Sequence, residues 1–197
     1  MFKTLQPLIL ASSSPRRQEF LVNLGLDFEI KTAEVEENLR PDESAQDFVQ
    51  RLALDKAWAI SINHQDSWVL GADTVVVKDD HIMGKPVDEV EARLMLRGLS
   101  GRSHEVWTGF AVCRASDAYK VVDSVKTIVK FASFFPEQLL DAYVRTGEPL
   151  DKAGAYGIQG LGGLLVESID GSYSNVVGLP VAEVIREFLR LGIVVPA

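Results

Sequence analysis

Apolar and polar positions along the chain switch repeatedly between the period of a strand and the period of a helix. Runs rich in β-branched residues predict strands, and apolar stripes at three- and four-residue spacing predict helices. The predicted strands cover residues 8–11, 28–32, 68–78, 104–114, 119–131 and 164–169, with a hairpin strand carrying Ile82 and Met83; the predicted helices cover residues 15–24, 44–62, 88–99, 136–144 and 181–191. Because hairpins interrupt the interleaved helices and strands, the pattern predicts an α/β fold around a mixed sheet.

Local signals mark several helix ends. Ser14 before Pro15 suits an N-cap followed by the first helical position, and Gly25 suits a helix stop. Ser44 and Asp88 are each followed three residues later by an acidic residue, which favours a capping box. These signals predict separate helices with defined ends.

Composition narrows the class of protein. The chain has 197 residues, of which 47% are hydrophobic and 24% charged, which is typical of a single globular domain over residues 1–197, with room for two lobes. A net charge of −8 opposes general binding to duplex nucleic acid or to an anionic membrane. A single cysteine, Cys113, excludes an internal disulfide and fits a reducing cytoplasm. We expect a cytoplasmic protein that binds neither nucleic acid nor membrane.

The segment from Ser12 to Arg17 is the first candidate for chemistry. Three serines, a proline and two arginines follow a buried strand and open a helix. Backbone amides at a helix N-terminus attract anions, and arginine binds phosphate through two parallel hydrogen bonds. Two cations in the first turn oppose the helix dipole, a conflict that an anionic ligand relieves. A capped helix with solvated arginines is the alternative, and both interpretations stay open.

Two charged residues stand where apolar ones are expected. Lys56 falls on the apolar stripe of its helix, at helical spacing from Leu52 and Ile60, so it either extends toward solvent or points into a cleft. Asp73 lies within a hydrophobic predicted strand, next to Thr74. A carboxylate there fits a divalent metal ligand or a general base, or a bulge in which it binds backbone amides.

Weaker signals lie in three loops. Glu36 and Glu37 belong to an acidic loop, which is usually a solvated charge run. Lys85 lies between Gly84 and Pro86. Two interpretations are open: its side chain reaches a phosphate, or the segment is an ordinary surface turn. Gln159 lies in a glycine-dense stretch that suits close approach to a ligand, or that is merely flexible. His64, His81 and His104 lack metal-ligand spacing, which argues against a zinc site.

Taken in order, these segments resemble the Maf family of nucleotide pyrophosphatases. The resemblance rests on LILASSSPRRQEFL, RLALDKA, VLGADTVV, GKP, LSGRSHEVWTG, EPLDKAGAYGIQGLGG and GSYSNVVGLP, which span nearly the whole chain. It implies an elongated mixed sheet flanked by helices, with two lobes around a central cleft, as in Maf and inosine-triphosphatase-like proteins. It also implies a homodimer.

The resemblance further implies an activity and its residues. Family members hydrolyse nucleoside triphosphates between the α- and β-phosphates with a divalent metal such as Mg²⁺ or Mn²⁺. Asp73 matches the position of the catalytic base, and Glu37, with Glu36 as the alternative, matches an acidic position that shares the metal. The matching polar residues that bind substrate are Ser12, Arg16, Arg17, Lys56 and Lys85.

The resemblance is to the branch that acts on dTTP and UTP, through Arg16, Thr74 and Gln159. An amide such as that of Gln159 complements the N3 donor and carbonyl acceptors of uracil or thymine. Two alternatives remain. One is a broader nucleotide pyrophosphatase that acts on modified or canonical triphosphates, an activity that would suit removal of non-standard nucleotides. The other is a regulatory nucleotide-binding protein without turnover, because the family is associated with septum formation in cell division.

Overall fold

A computed structural model describes residues 1–133 and 135–197, which form nine β-strands and six α-helices. The strands are β1 (Phe2–Thr4), β2 (Leu8–Leu10), β3 (Glu29–Ile30), β4 (Trp68–Lys78), β5 (His81–Met83), β6 (Ser103–Arg114), β7 (Tyr119–Phe131), β8 (Val166–Asp170) and β9 (Val194–Pro196). The helices are α1 (Pro15–Asn23), α2 (Ala45–Ser61), α3 (Glu89–Leu99), α4 (Glu137–Arg145), α5 (Tyr173–Val177) and α6 (Val181–Arg190). Short 3-10 segments lie at Glu148–Asp151, Ala153–Ala155 and Leu161–Leu165.

The mixed α/β fold predicted from the sequence is confirmed. In its sheet the strand order is β3-β2-β4-β6-β7-β8, with β5 paired to β4. Strand β2 pairs in parallel with β3 and β4, whereas β5 on β4 and β8 on β7 are antiparallel. None of the described helices is both long and apolar enough to span a membrane.

The chain divides into two compact units. Unit 1 comprises Met1–Asp73, Thr108–Val125 and Gly178–Ala197, and unit 2 comprises Thr74–Trp107 and Lys126–Val177. Each unit has its own apolar core. Fully buried side chains include Leu10, Leu21, Leu70 and Phe188 in unit 1, and Leu96, Leu99, Phe131 and Leu165 in unit 2.

Local chemistry explains the helix ends that the sequence predicted. The side chains of Ser44 and Asp88 each accept a hydrogen bond from the backbone amide three residues on, at Asp47 and Glu91, as predicted for capping residues. Ser14 occupies the N-cap of α1, but its side chain makes no capping hydrogen bond. The predicted N-cap position is therefore confirmed, but the side-chain hydrogen bond expected of a capping serine is not made.

Some short helices and strands were not predicted from the sequence pattern. The strands β1 and β9 pair antiparallel, Phe2 opposite Pro196, and three residues are too few to show a strand period. Strand β3 has two residues rather than the five predicted, because its register pairs it only with Ile9 and Leu10 of the short strand β2. The five-residue helix α5 was likewise missed.

Helix α2 packs unusually close to the sheet in unit 1. A Cβ at Gly71 of β4 would lie 2.2 Å from the backbone oxygen of Ala53, and one at Gly109 of β6 would lie 2.3 Å from the oxygen of Val49. Only glycine allows this approach. The close packing sets the distance between α2 and the middle of β4, where Asp73 lies.

Candidate active site

The loop between β2 and α1 is organised around Ser12, which is 8% exposed. Its hydroxyl oxygen accepts hydrogen bonds from the backbone amide of Ser14 at 3.2 Å and from Arg17 Nη1 at 3.1 Å. Arg17 Nε also donates to the backbone oxygen of Gly178 at 2.8 Å. Ser12 therefore fixes the turn into α1, and Arg17 is held on two sides at the first turn of the helix.

Charged groups surround the guanidinium of Arg17. Burial lowers the pKa of Arg17; attraction to Asp73 opposes the shift, repulsion from Arg16 adds to it, and attraction to Glu37 opposes it. A polyanion beside Arg16 and Arg17 would offset both the burial and the mutual repulsion. This electrostatic conflict favours the anion-site interpretation over a helix with solvated arginines.

Lys56 joins the two acidic residues of unit 1 that the sequence singled out. Its Nζ lies 2.7 Å from Asp73 Oδ1 and 2.6 Å from Glu37 Oε1. The side chains of Lys56 and Asp73 are only 17% and 14% exposed, whereas Glu37 is 60% exposed. The lysine thus points toward a carboxylate pair rather than out to bulk solvent, and Asp73 takes a charged partner.

The structure distinguishes the two glutamates of the acidic loop by their contacts. Glu36 Oε1 accepts a hydrogen bond from Asn38 Nδ2 at 3.0 Å, a contact made within the loop itself. Glu37, in contrast, reaches the lysine that also binds Asp73. Glu37 is therefore the acidic loop residue that geometry associates with Asp73.

Arg51 holds the acidic loop in place, a role that the sequence pattern does not indicate. From α2 it donates to both carboxylate oxygens of Glu43, at 2.5 and 2.8 Å, and to the backbone oxygen of Asn38 at 3.0 Å. The hydrogen bonds from Arg51 hold the pKa of Glu43 at about 2, well below its usual range. Two hydrogen bonds from one guanidinium fix the orientation of the Glu43 carboxylate as well as offsetting its charge. The third, to Asn38, anchors the loop at the residue that follows Glu37.

The remaining predicted residues lie in unit 2. Thr74 follows Asp73 in β4 and is partly buried. Lys85 is exposed in the connection between β5 and α3, next to the buried Pro86. Gln159 is exposed between two 3-10 segments of the glycine-dense stretch. The described contacts thus join Ser12 with Arg17 and Lys56 with both acids. Thr74 is the neighbour of Asp73 in β4, whereas Lys85 and Gln159 lie in other segments of the chain.

Two carboxylates that converge on one cation also suit a divalent metal. Within residues 1–133 and 135–197, no three His, Cys, Asp or Glu side chains are grouped as a ready-made metal cage. Mg²⁺ typically uses one or two carboxylates together with water and substrate phosphate oxygens. Asp73 and Glu37, drawn together by Lys56, fit that donor set.

Comparison with known proteins decides the family. Residues 7–191 match the family model described as Maf-like protein. The chain belongs to the Maf family. This Maf-family chain is 51% identical over 194 residues, 98% of the chain and 99% of the relative, to a protein of Desulfotalea psychrophila named dTTP/UTP pyrophosphatase. It is 49% identical to a protein of the same name from Symbiobacterium thermophilum, over 95% of each chain.

The likeness to solved structures concerns the fold of this Maf protein. The structure of the Staphylococcus aureus Ham1 protein aligns with a TM-score of 0.50 and 13% sequence identity, over 95% of this chain and 100% of that one. The resemblance to the Maf family and the mixed α/β fold are therefore both confirmed, while the roles of individual residues stay predictions.

Proposed function

We propose that this Maf protein hydrolyses nucleoside triphosphates, dTTP and UTP above all, between the α- and β-phosphates to give the monophosphate and pyrophosphate. The proposal rests mainly on Lys56, which pairs with both Asp73 and Glu37. Arg17 lies close enough for electrostatic attraction to both carboxylates. The names of the relatives, which are dTTP/UTP pyrophosphatases over nearly their full lengths, support the choice of substrate.

The first turn of α1 is assigned to the triphosphate. Arg17 already donates a hydrogen bond to Ser12, so the loop is ordered before substrate binds. Little conformational entropy is therefore lost on binding. Arg16 and Arg17 supply charge to phosphate oxygens, and the backbone amides of the helix N-terminus add their dipole. Lys85 is assigned a further contact to phosphate.

The metal is assigned to Asp73 and Glu37. A bound Mg²⁺ or Mn²⁺ would offset phosphate charge and polarise the phosphoryl oxygens. Lys56, held at 2.7 and 2.6 Å from these carboxylates, fixes their orientation. The three cations Arg16, Arg17 and Lys56 outnumber the two carboxylates. The excess of positive charge favours binding of a polyanion.

Asp73 is assigned the proton transfer. Its carboxylate accepts a proton from the attacking water, whose oxygen bonds to one phosphorus of the α–β anhydride while the bridging P–O bond breaks. Arg17 and Lys56 offset the charge that develops on the departing pyrophosphate. General base catalysis of this kind typically contributes about 10²- to 10⁴-fold to a rate.

Base selection is assigned to Gln159, with Arg16 and Thr74. The side-chain amide of Gln159 offers both a donor and an acceptor, which matches the carbonyl groups and N3–H of thymine or uracil. A site that hydrogen-bonds a ligand strongly rejects one that leaves its polar groups unpaired. We further infer a cytoplasmic protein and a homodimer.

A panel of triphosphates tests the substrate. Pyrophosphate release is measured with dTTP, UTP, CTP, GTP and 7-methyl-GTP, each with Mg²⁺ and with Mn²⁺. We expect dTTP and UTP to have the highest kcat/KM. Comparable rates with all five would instead indicate a broad nucleotide pyrophosphatase, and binding of dTTP without turnover would indicate a regulatory nucleotide-binding protein.

The Asp73→Asn variant tests the catalytic assignment. It keeps the shape of the side chain but removes the proton acceptor, so kcat should fall at least about 100-fold. The matched control is Asp117→Asn, because Asp117 pairs with Arg114 in an exposed turn of the same unit. Near wild-type activity in Asp73→Asn would refute the role of Asp73.

A further inference from the structure

The glycine-dense stretch of unit 2 is a folded loop built around one carboxylate, that of Glu148. Its Oε1 accepts hydrogen bonds from the Tyr143 hydroxyl at 3.0 Å and the backbone amide of Gly162 at 3.1 Å. Its Oε2 accepts from the backbone amide of Leu161 at 2.9 Å. A single side chain thus binds the chain immediately after Gln159.

The segment before Gln159 is tied to the same group. The Tyr143 hydroxyl, which donates to Glu148, accepts a hydrogen bond from the backbone amide of Gly157 at 3.2 Å. Tyr143 is only 5% exposed and belongs to the apolar core of unit 2. Both flanks of Gln159 are therefore anchored to α4 and to the 3-10 segment that follows it.

Steric contacts explain why this loop is rich in glycine. A Cβ at Gly160 would lie 2.5 Å from Glu148 Oε1, and a Cβ at Gly162 would lie 2.5 Å from the Tyr143 hydroxyl. A Cβ at Gly163 would lie 2.7 Å from the backbone oxygen of Ile158. The glycines therefore let the backbone close around the carboxylate, which argues against a merely flexible loop.

Glu148 acts in its charged form. Burial alone would raise its pKa, but hydrogen bonds from the amides of Gly162 and Leu161 and from Tyr143, with attraction to Lys152, lower the pKa overall. Hydrogen bonds to an ionised acceptor are about twice as strong as neutral ones. The anchor therefore depends on the charge of Glu148 as well as on its shape.

We propose that Glu148 is a positioning residue that holds Gln159 in register and thereby sets the selectivity for the nucleotide base. The inference rests on the proposed function, in which Gln159 contacts the base. Glu148 itself touches no reacting atom; it acts through the amides of Leu161 and Gly162 after Gln159 and, by way of the Tyr143 hydroxyl, through the amide of Gly157 before it. Loss of the anchor should therefore affect the choice of triphosphate more than the hydrolysis step.

The Glu148→Gln variant tests the proposal. The amide has nearly the same shape but directs an NH₂ group toward donors that need an acceptor. We expect the ratio of kcat/KM for dTTP over GTP to fall about tenfold, mainly through a higher KM for dTTP, while kcat changes little. The control is Glu167→Gln, which removes an exposed ion pair with Lys130 in the same unit and should leave the ratio unchanged.

Tyr143→Phe provides a second, milder variant if Glu148→Gln folds poorly. It removes the hydroxyl that joins Gly157 to Glu148, so selectivity should shift in the same direction by a smaller factor. Combining Glu148→Gln with Gln159→Ala should lower selectivity no further than Gln159→Ala alone, because both changes remove one function. A merely structural role would lower kcat for every triphosphate and add to the effect of Gln159→Ala.

The outcomes separate this inference from the proposed function. Wild-type protein that releases no pyrophosphate from any triphosphate refutes the proposed function, and this inference with it. Wild-type protein that prefers dTTP, with the same preference in folded Glu148→Gln and Tyr143→Phe, refutes the inference alone. A lower preference in both variants, absent in Glu167→Gln, supports it.

Discussion

Substituting Gly71 by alanine tests whether the close approach of α2 to β4 holds the candidate site together. The added Cβ would lie 2.2 Å from the oxygen of Ala53 and 2.9 Å from the nitrogen of Ala57. Both are backbone atoms of α2, so no side-chain rotation relieves the clash. Ordinary contact begins near 3.4 Å, and the helix must therefore move by about 1.2 Å, the difference between 3.4 and 2.2 Å.

We expect the displacement to lower activity more than stability. Overpacking of this kind typically costs about 1–3 kcal/mol, which a domain of ordinary stability survives. Lys56 lies on the shifted helix and would move away from Asp73, now 2.7 Å away, beyond hydrogen-bonding distance. A misplacement of about 1 Å costs about 100-fold in rate, so we expect kcat/KM for dTTP to fall by about that factor in a protein that remains folded.

The assay compares kcat/KM and the urea unfolding midpoint of Gly71→Ala with those of Gly98→Ala. Gly98 lies within α3, where a Cβ would meet only the end of the Lys78 side chain at 3.8 Å. Alanine there should be neutral or stabilise the helix by about 1 kcal/mol, with unchanged activity. Wild-type activity in Gly71→Ala would refute the claim that helix packing positions Lys56.

Three further predictions concern stability, loop anchoring and selectivity. Burial lowers the pKa of His104 from 6.5 to about 4, so the folded state keeps it neutral while the unfolded state binds a proton below pH 6.5. Stability should therefore fall by about 3 kcal/mol between pH 6.5 and pH 4, and His104→Phe should remove that component from urea unfolding curves. Arg51→Ala releases Glu43 and Asn38, so the Mg²⁺ concentration for half-maximal rate should rise about tenfold, measured by titration. Arg16→Ala should lower the dTTP preference over other triphosphates more than kcat, measured on the same panel of triphosphates.

Controls accompany each of these three predictions. An unchanged pH dependence in His104→Phe would show that other groups cause the acid destabilisation. For Arg51→Ala the control is Arg97→Ala, which removes only an exposed ion pair with Glu137, and an equal metal requirement in both would contradict loop anchoring. For Arg16→Ala, an unchanged ratio of dTTP to other triphosphates would exclude a role in selecting the base.

Features that depend on neighbouring residues could be predicted from the sequence. The capping bonds of Ser44 and Asp88 are made within their own helices, and the long strand through Asp73 is a run of apolar and β-branched residues. Both depend on neighbours that the sequence shows directly. The unusual positions of Lys56 and Asp73 were also visible, because a charge on an apolar stripe or strand violates a local pattern.

The features that could not be predicted depend on contacts between segments that are distant in the sequence. Lys56 pairs with Asp73 only because Gly71 lets the helix approach, and a glycine in a strand does not reveal which backbone it faces. Arg51 appeared as one more charged helix residue, since its partner at Asn38 is a backbone oxygen. Glu148 was part of a motif, but its role as an anchor requires the path of the loop around it.

The products formed from dTTP test the proposed hydrolysis most directly. Wild-type protein is incubated with dTTP and Mg²⁺, and the phosphorus species are followed by ³¹P NMR. We expect equal amounts of dTMP and pyrophosphate, because hydrolysis at the α–β anhydride gives one of each. Formation of dTDP and inorganic phosphate, or no turnover with either Mg²⁺ or Mn²⁺, would contradict the proposed hydrolysis.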